Sequence, residues 1–148
     1  MAHQDIDVRA ESSAPPEDVF ALLADGATWP VWSPIGSFQL EEPARGGGEG
    51  VGAIRVFRTG RTTSRERVVE VVPDRRFSYA LLSGIPIRDY RADVDLTRTP
   101  SGGTAIRWHS TFTAKIPGTG GMIRRKLHAF IGECVRGLAQ HAAARANA

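Results

Sequence analysis

Five strand-like runs follow one another between Phe38 and Ala114, and one long amphipathic helix follows them. The runs are GVGAIRVFR, TTSRERVVEVV, RRFSYALL, DYRADVDLT and TAIRWHSTFTA, separated by the turn-forming sequences TG, PD, SGIP and PSGG. SFQLEE and the alternating residues 5–11 add two more strands. We therefore predict a mostly antiparallel sheet of about seven strands.

Three segments change to the helical period. A long helix is predicted over residues 119–145, with one continuous stripe formed by Ile123, Leu127, Phe130, Ile131, Cys134, Val135, Leu138 and Ala142. A short helix is predicted at 15–25, with Ser13 as its cap, and TWPVWSP forms a helical turn or tight loop. The fold class is thus α+β, with one long helix over one sheet and two short helices after the first strand. Residues 144–148 are expected to fray.

Length and composition indicate one globular domain. The chain has 148 residues, which we assign to a single domain with its core at about 5–142. One cysteine, Cys134, excludes an internal disulfide and predicts an inert buried thiol. The N-terminal segment lacks the pattern of a signal peptide, and no apolar run reaches the roughly 20 residues of a membrane span. We expect a soluble, cytoplasmic protein without stable membrane insertion.

The net charge of +3 does not by itself predict nucleic-acid binding. Of the 19 basic residues, 17 are arginines, and most alternate with apolar residues along predicted strands. The only run of basic residues is 124–126. Arginines at alternating positions indicate a solvated sheet face, so no nucleic-acid partner is expected.

Turn chemistry sets the register of the middle strands. A two-residue turn at Gly60 and Arg61 suits the positive φ that glycine tolerates, and it places Arg55 opposite Glu66. A second two-residue turn at Pro73 and Asp74 gives two further pairs, Val68 with Tyr79 and Glu70 with Phe77.

The face predicted to lie under the long helix mixes aromatic and polar side chains. It comprises Val51, Ala53, Arg55, Phe57, Glu66, Val68, Phe77, Tyr79, Leu81, Tyr90, Ala92, Val94, Leu96, Ile106, Trp108 and Phe112. A packed core would not need so many charged and hydroxyl groups, so we expect a cavity there. The opposite face carries an apolar patch of Ile54, Val56, Val69, Val71 and Leu82, which could support a homodimer, and a bulge would invert part of this assignment.

The order and spacing of these segments resemble the SRPBCC superfamily. This helix-grip fold is shared by START lipid-transfer domains, plant pollen allergens and polyketide cyclase/dehydrase-like proteins. APPEDVFALLADGATWPVWSP, GVGAIRVF, RERVVEVVPDRRFSYAL, SGIPIRDYRADVDLT and GGTAIRWHSTFTAKIPG are similar to the last group, and the resemblance runs from about Val8 to Leu138. It implies a deep pocket between a curved sheet and the final helix, which binds a hydrophobic or aromatic small molecule without a metal or organic cofactor.

Three residues are candidates for chemistry in such a pocket. Arg55 could hold a carbonyl or enolate oxygen, Glu66 with a raised pKa could remove an acidic α-proton, and Tyr79 could donate a proton. The alternative is that Arg55 and Glu66 form only a cross-strand ion pair, which contributes about 0.2–1 kcal/mol.

Other residues are candidates for ligand contact only. They are Trp29, Trp32, Phe57, Phe77, Tyr90, Trp108, Leu127 and Phe130, with the WPVWSP turn expected at the cavity mouth and Trp108 nearer the core. The Gly-rich segment GGGEGVG is expected to be a mobile loop that could serve as a lid. The four histidines are dispersed and give no metal-ligand spacing, so no metal is predicted.

These observations support three hypotheses. The first is a binder or carrier of a hydrophobic ligand, aromatic or polyketide- or lipid-like. The second is a cofactor-independent enzyme of the polyketide cyclase or dehydratase type that uses Arg55, Glu66 and Tyr79. The third is an interaction module that dimerises through the outer apolar patch.

Overall fold

The computed structural model describes residues 3–147, and the predicted order of elements is confirmed. The strands are β1 (His3–Ser12), β2 (Ser37–Glu42), β3 (Ile54–Thr59), β4 (Thr62–Val72), β5 (Arg76–Ser83), β6 (Ile87–Arg98) and β7 (Thr104–Ala114). The helices are α1 (Pro16–Ala24), α2 (Trp29–Trp32) and α3 (Gly120–Ala146), and a 3-10 turn at Gly26–Thr28 leads into α2.

All seven strands form one antiparallel sheet in the order β1-β7-β6-β5-β4-β3-β2. The chain runs from β2 to β7 by neighbouring hairpins, and β1 pairs with β7 along its whole length. The long helix α3 packs closely on β1 and β7, at one side of the curved sheet. The space between the rest of the helix and strands β3–β5 therefore has to be filled by side chains.

The hairpin between β3 and β4 has the predicted register. Thr59 pairs with Thr62, so Gly60 and Arg61 form a two-residue turn, and Gly60 has a φ of 58°. Arg55 consequently lies opposite Glu66 on the face under α3.

The second predicted turn is wrong by one residue. Val72 pairs with Arg76 across a three-residue loop, in which Asp74 has a left-handed φ of 65°. A bulge between Val68 and Glu70 absorbs the extra residue. The predicted pair of Val68 with Tyr79 is kept, but the partner of Phe77 is Val71 and that of Glu70 is Ser78.

Two further inner-face assignments change with the strand boundaries. Val51 was expected under the helix but precedes β3 in a turn and is 57% exposed. Val71 was assigned to the outer patch but packs against the core, because the bulge reverses its direction. The register of β6 against β7 also shifts between Arg88 and Arg91. Ile87 and Tyr90 would lie on opposite faces of a regular strand, but because of this shift both are buried in the interior.

The outer apolar patch is largely covered by the chain itself. Ile54 and Val56 are only 4% and 6% exposed, and Leu82 is exposed, at 37%. The rest of this face carries ion pairs such as Arg76 with Asp95 and Arg107 with Asp7. The patch therefore does not present the continuous apolar surface on which the dimer hypothesis depended.

The helices also differ from expectation at their ends. The N-cap of α1 is Pro15, without a side-chain hydrogen bond, so Ser13 does not cap it. At the other end of the chain, α3 continues to Ala146, so most of segment 144–148 is helical instead of frayed, up to the limit of the described residues.

A glycine permits the close approach of α3 to α2. A Cβ atom on Gly137 would overlap the carbonyl oxygen of Trp32, whereas a Cβ on Gly132 would meet only the flexible Arg136 side chain, at 3.1 Å. We expect Gly137→Ala to lower the free energy of unfolding by about 1–3 kcal/mol through overpacking. Gly132→Ala should raise it by about 0.5–1 kcal/mol through helix propensity. Urea denaturation measures both, and equal shifts of the two variants would contradict this account of the α2–α3 contact.

Candidate functional site

Arg55 lies at the centre of the interior, on β3, with only 1% of its surface exposed. Four aromatic rings surround its guanidinium carbon, at 4.9 Å (Trp29), 5.0 Å (Phe77), 5.1 Å (Phe57) and 5.9 Å (Phe38). The negative faces of aromatic rings attract a cation, by about 0.5–2 kcal/mol for each well-placed ring. Three of the aromatic side chains that were predicted to contact a ligand, Trp29, Phe57 and Phe77, thus contact Arg55.

The polar partners of Arg55 are few. Its Nη1 donates to the carbonyl oxygen of Leu23 at 3.2 Å, and its Nε lies 3.2 Å from Glu49 Oε1 without the geometry of a hydrogen bond. Among the described residues, neither Nε nor Nη2 has a hydrogen-bond partner. Burial lowers the pKa of Arg55, against the opposing effect of Glu49 and Glu66. Two strong donors are therefore buried and unused.

Glu66 faces Arg55 from β4 and is half-buried. Burial raises the pKa of its carboxyl from 4.5 to about 7, and the charge of Arg55 opposes the rise. A carboxyl group with a pKa near neutrality can both accept and release a proton under physiological conditions. Arg55 and Glu66 thus lie opposite each other as predicted, but within residues 3–147 the guanidinium forms its ion pair with Glu49 and not with Glu66.

Two tyrosines continue the polar side of the interior. Tyr79 on β5 is 3% exposed, and its hydroxyl oxygen accepts a hydrogen bond from Trp108 Nε1 at 3.2 Å. Tyr90 on β6 lies beside it, with ring centroids 6.2 Å apart. Burial raises the pKa of Tyr79 far above its usual value and that of Tyr90 to about 12. Both hydroxyls stay protonated and are suited to donate hydrogen bonds, not to act as bases.

Ser110 and Cys134 complete this polar region from β7 and α3. Ser110 Oγ is buried and makes no hydrogen bond of good geometry within residues 3–147, although its nearness to Tyr90 counters part of the rise in the tyrosine pKa. Cys134 is fully buried, and burial raises the pKa of its thiol, so the thiolate is disfavoured. The predicted inert thiol agrees with this environment.

The tryptophans pack against one another in the core. Trp29 stacks on Phe57 with ring centroids 4.9 Å apart and meets Trp108 edge-on at 5.5 Å. Trp29 and Trp32 are only 2% and 5% exposed, so the WPVWSP turn does not line a cavity mouth as predicted. Trp108 is fully buried, in agreement with its expected core position. Phe77 is also buried, at 1% exposure.

Leu127 and Phe130 are the two predicted ligand contacts that remain partly accessible. They lie on the first half of α3, at the end of the sheet where β1 starts and the β5–β6 turn leads into β6, because Arg124 Nε donates a hydrogen bond to Asp5 O (2.8 Å). A surface pocket of about 220 Å³ lies at that turn, lined by residues 81–87 and Lys115.

The deep cavity that was predicted would need more room than the pocket at the β5–β6 turn provides. The pocket at the β5–β6 turn is smaller than the roughly 300–1,000 Å³ typical of small-molecule sites. Larger pockets of about 550 and 640 Å³ lie on the outside, lined mainly by polar and charged residues of α1, β6, β7 and β1. The interior is filled instead by the aromatic rings around Arg55.

Glu49 is the site residue that sequence reasoning missed. It belongs to the Gly-rich segment, whose expected mobility hid the fact that its carboxylate reaches inward. Glu49 Oε1 accepts a hydrogen bond from Gly26 N at 2.8 Å as well as contacting Arg55. A Cβ on Gly26 would collide with the ring of Phe38, so this glycine admits the contact. A lone acidic residue within GGGEGVG was the only available signal.

Neither a metal site nor a membrane-spanning helix is found among the described residues. Within residues 3–147, no cluster of three or more His, Cys, Asp or Glu side chains is placed to hold a metal ion. Over the same range, no helix has both the length and the apolar content needed to cross a lipid bilayer.

The stability of the protein should report the raised pKa of Glu66. Between pH 4.5 and about 7 the folded chain keeps a proton on Glu66 that the unfolded chain has lost, so stability falls as pH rises through this window. Glu66→Gln cannot ionise. Relative to the wild type, we expect it to gain about 2–3 kcal/mol of unfolding free energy between pH 5 and pH 8.

Glu41→Gln is the matched control for this measurement. Arg65 lowers the pKa of Glu41, so this carboxyl is ionised in both states across the window and its removal adds no slope. Urea denaturation at the two pH values measures each difference. A constant difference between Glu66→Gln and wild type at pH 5 and pH 8 would show that Glu66 titrates normally.

Solved structures with the same fold share little sequence with this chain. The protein XoxI from Bacillus cereus has a TM-score of 0.73 at 23% identity and covers 95% of each chain. A START superfamily protein from Mycobacterium smegmatis has a TM-score of 0.81 at 13% identity, covering 95% of this chain and 97% of its own. Ara h 8.0201 has a TM-score of 0.77 at 16% identity, covering 95% and 98%. These likenesses show the helix-grip fold.

The sequence itself matches one family model over nearly its whole length. Among curated protein sequences, none matches this chain. The family model, described as "Polyketide cyclase / dehydrase and lipid transport", matches residues 3–143. With the seven-stranded sheet and the long C-terminal helix, this match shows that the chain belongs to the polyketide cyclase/dehydrase and lipid transport family of the SRPBCC superfamily.

Proposed function

We propose that this protein binds a hydrophobic, aromatic or polyketide-like small molecule between the sheet and α3. The observation that carries the proposal is a set of buried polar atoms that have no hydrogen-bond partner among residues 3–147, namely Arg55 Nε, Arg55 Nη2 and Ser110 Oγ, beside an aromatic wall. A buried donor without a partner costs about 1–3 kcal/mol, so its retention calls for a compensating role. Hydrogen bonds to the oxygen atoms of a ligand would supply one.

Entry of a ligand requires the half-buried side chains at the start of α3 to move. Leu127 and Phe130 are held less tightly than the fully buried rings, and the pocket of about 220 Å³ at the β5–β6 turn lies at this end of the helix. Rotation of long side chains there enlarges the pocket without breaking the sheet. Ligand contacts then extend from Phe130 inward toward Tyr90 and Tyr79.

The polar groups would orient the ligand. The tyrosine hydroxyls remain protonated donors, and Arg55 is a fixed cation with free N–H groups, so both favour carbonyl or enolate oxygens. The aromatic wall favours a planar apolar body. Together these features support a ligand that combines ring carbon with a few oxygen atoms.

An uncharged fluorescent probe tests the binding proposal. We expect N-phenyl-1-naphthylamine to bind with a Kd below about 100 µM, because burial of its apolar surface provides a binding free energy of at least that size even for a small ligand. Phe130→Ala should weaken binding by about tenfold through lost apolar contact. The control is Val31→Ala, at a side chain that is 68% exposed on α2. Fluorescence titration without saturation, or equal effects of the two variants, would overturn the proposal.

The raised pKa of Glu66 favours a second candidate, an acid–base enzyme. Its carboxylate would take a proton from the carbon next to a ligand carbonyl, and the electron pair left behind would move onto the carbonyl oxygen. Arg55 would stabilise the enolate oxygen, and Tyr79 would donate a hydrogen bond to it. Return of the proton from Glu66 to carbon completes an exchange. If the enolate carbon instead attacks a second carbonyl, a C–C bond forms and the proton on Glu66 passes to the resulting alkoxide, which completes a cyclisation.

Proton exchange at a ketone separates the enzyme from the binder. We expect the wild type to accelerate deuterium incorporation next to the carbonyl of 2-tetralone, as measured by NMR in D2O, with a rate that rises with pH through about 7. Glu66→Gln should reduce the catalysed rate at least about 100-fold while probe affinity changes less than about twofold. A wild-type rate equal to that of buffer would leave binding alone as the function.

A further inference from the structure

The Gly-rich segment 46–52 places a carboxylate against the buried arginine. Glu49 Oε1 lies 3.2 Å from Arg55 Nε, and the Glu49 side chain is 17% exposed while that of Arg55 is 1% exposed. Glu49 thus stands between solvent and the guanidinium. Because its oxygen meets Nε without hydrogen-bond geometry, the contact leaves both Nε and Nη2 unsatisfied.

The contact with Arg55 is poorer than the other contact of the same carboxylate. Glu49 Oε1 accepts a well-formed hydrogen bond from Gly26 N at 2.8 Å. An arginine fork binds a carboxylate best through two parallel N–H bonds, and here it has none to Glu49. An anionic group that approached Arg55 directly could form both bonds.

The glycines beside Glu49 face open space. Gly47, Gly48 and Gly52 have positive φ values of 91°, 71° and 96°, and a Cβ on any of them would meet no atom within 4 Å. Backbone hydrogen bonds fix the course of the segment, from Ala44 N to Gly48 O, Gly47 N to Ala44 O, Ala53 N to Gly50 O and Gly52 N to Val68 O. The backbone is thus held, whereas among the described residues the side chain of Glu49 has only two polar partners, Gly26 and Arg55.

We propose that Glu49 is a gate on Arg55, that is, a carboxylate that blocks access to the guanidinium until a ligand displaces it. The ligands selected by this site carry an anionic oxygen group that displaces Glu49. This inference rests on the proposed function and adds the ligand class, amphipathic aromatic acids. Glu66 faces Arg55 from the opposite strand and stays in place as the second acidic neighbour. The displaced Glu49 side chain turns outward into the open space beside Gly47 and Gly48 and remains solvated.

Two probes with the same ring skeleton test the charge requirement. 8-Anilino-1-naphthalenesulfonate adds one sulfonate to N-phenyl-1-naphthylamine, so the ratio of their Kd values reports recognition of the anion. Glu49→Gln keeps an oxygen for Gly26 N but removes the charge that competes for Arg55. We expect it to tighten sulfonate binding by about fivefold to tenfold and to change binding of the uncharged probe less than about twofold.

Glu41→Gln is the matched control. It removes an equal charge from β2, where Glu41 pairs with exposed Arg65, and should change sulfonate binding less than about twofold. Arg55→Met should abolish the difference between wild type and Glu49→Gln. The Glu49→Gln comparison stands even if Arg55→Met does not fold, and near-UV circular dichroism confirms that each titrated variant is folded.

The outcomes separate the two proposals. If neither probe binds the wild type, the proposed function fails. If the uncharged probe binds but Glu49→Gln leaves the ratio of the two Kd values unchanged, the gate alone is overturned. An equal gain of sulfonate affinity in Glu49→Gln and Glu41→Gln would likewise overturn it, because the effect would then be one of net charge.

Discussion

A single buried cation organises the interior of this protein. The Arg55 guanidinium joins the end of α1, through Leu23 O, to the sheet and to four aromatic rings from β2, β3, β5 and α2. Leu23 O also accepts a hydrogen bond from Trp29 Nε1 at 3.1 Å, so the short helices and the sheet share one acceptor. The guanidinium charge is shielded from water, and it is balanced by the faces of the aromatic rings and by the partly accessible carboxylates of Glu49 and Glu66. The positions of α1 and α2 depend on this arrangement.

The polar groups around Arg55 differ in what they can do chemically. Burial keeps the Tyr79, Tyr90 and Cys134 groups protonated, whereas the half-buried Glu66 titrates close to neutrality. Only one group of this set can therefore exchange protons readily near pH 7. The site combines a fixed cation, fixed donors and one titrating carboxyl, which is the combination that both ligand orientation and enolate chemistry require.

Much of the fold was predictable because local patterns agreed. Alternation, turn sequences and the apolar stripe gave the element order, and glycine's tolerance of positive φ at position 60 fixed the pairing of Arg55 with Glu66. The bulge at Val69 was not predictable, since both Val69 and Val71 suit either face of a strand. The location of the WPVWSP turn was not predictable either. Its helical conformation follows from the local sequence, but its burial depends on aromatic rings from distant parts of the chain that pack against it.

The sequence by itself determined the element order, the hairpin register at Gly60 and the polar character of the inner face, because these depend on residues close together along the chain. Only the tertiary structure decided that aromatic rings fill the interior and that Glu49 reaches Arg55. Glu49 and its partner Gly26 are 23 residues apart. Such a contact depends on how the loop, the 3-10 turn and the strand are packed in space, and no local periodicity encodes that distance.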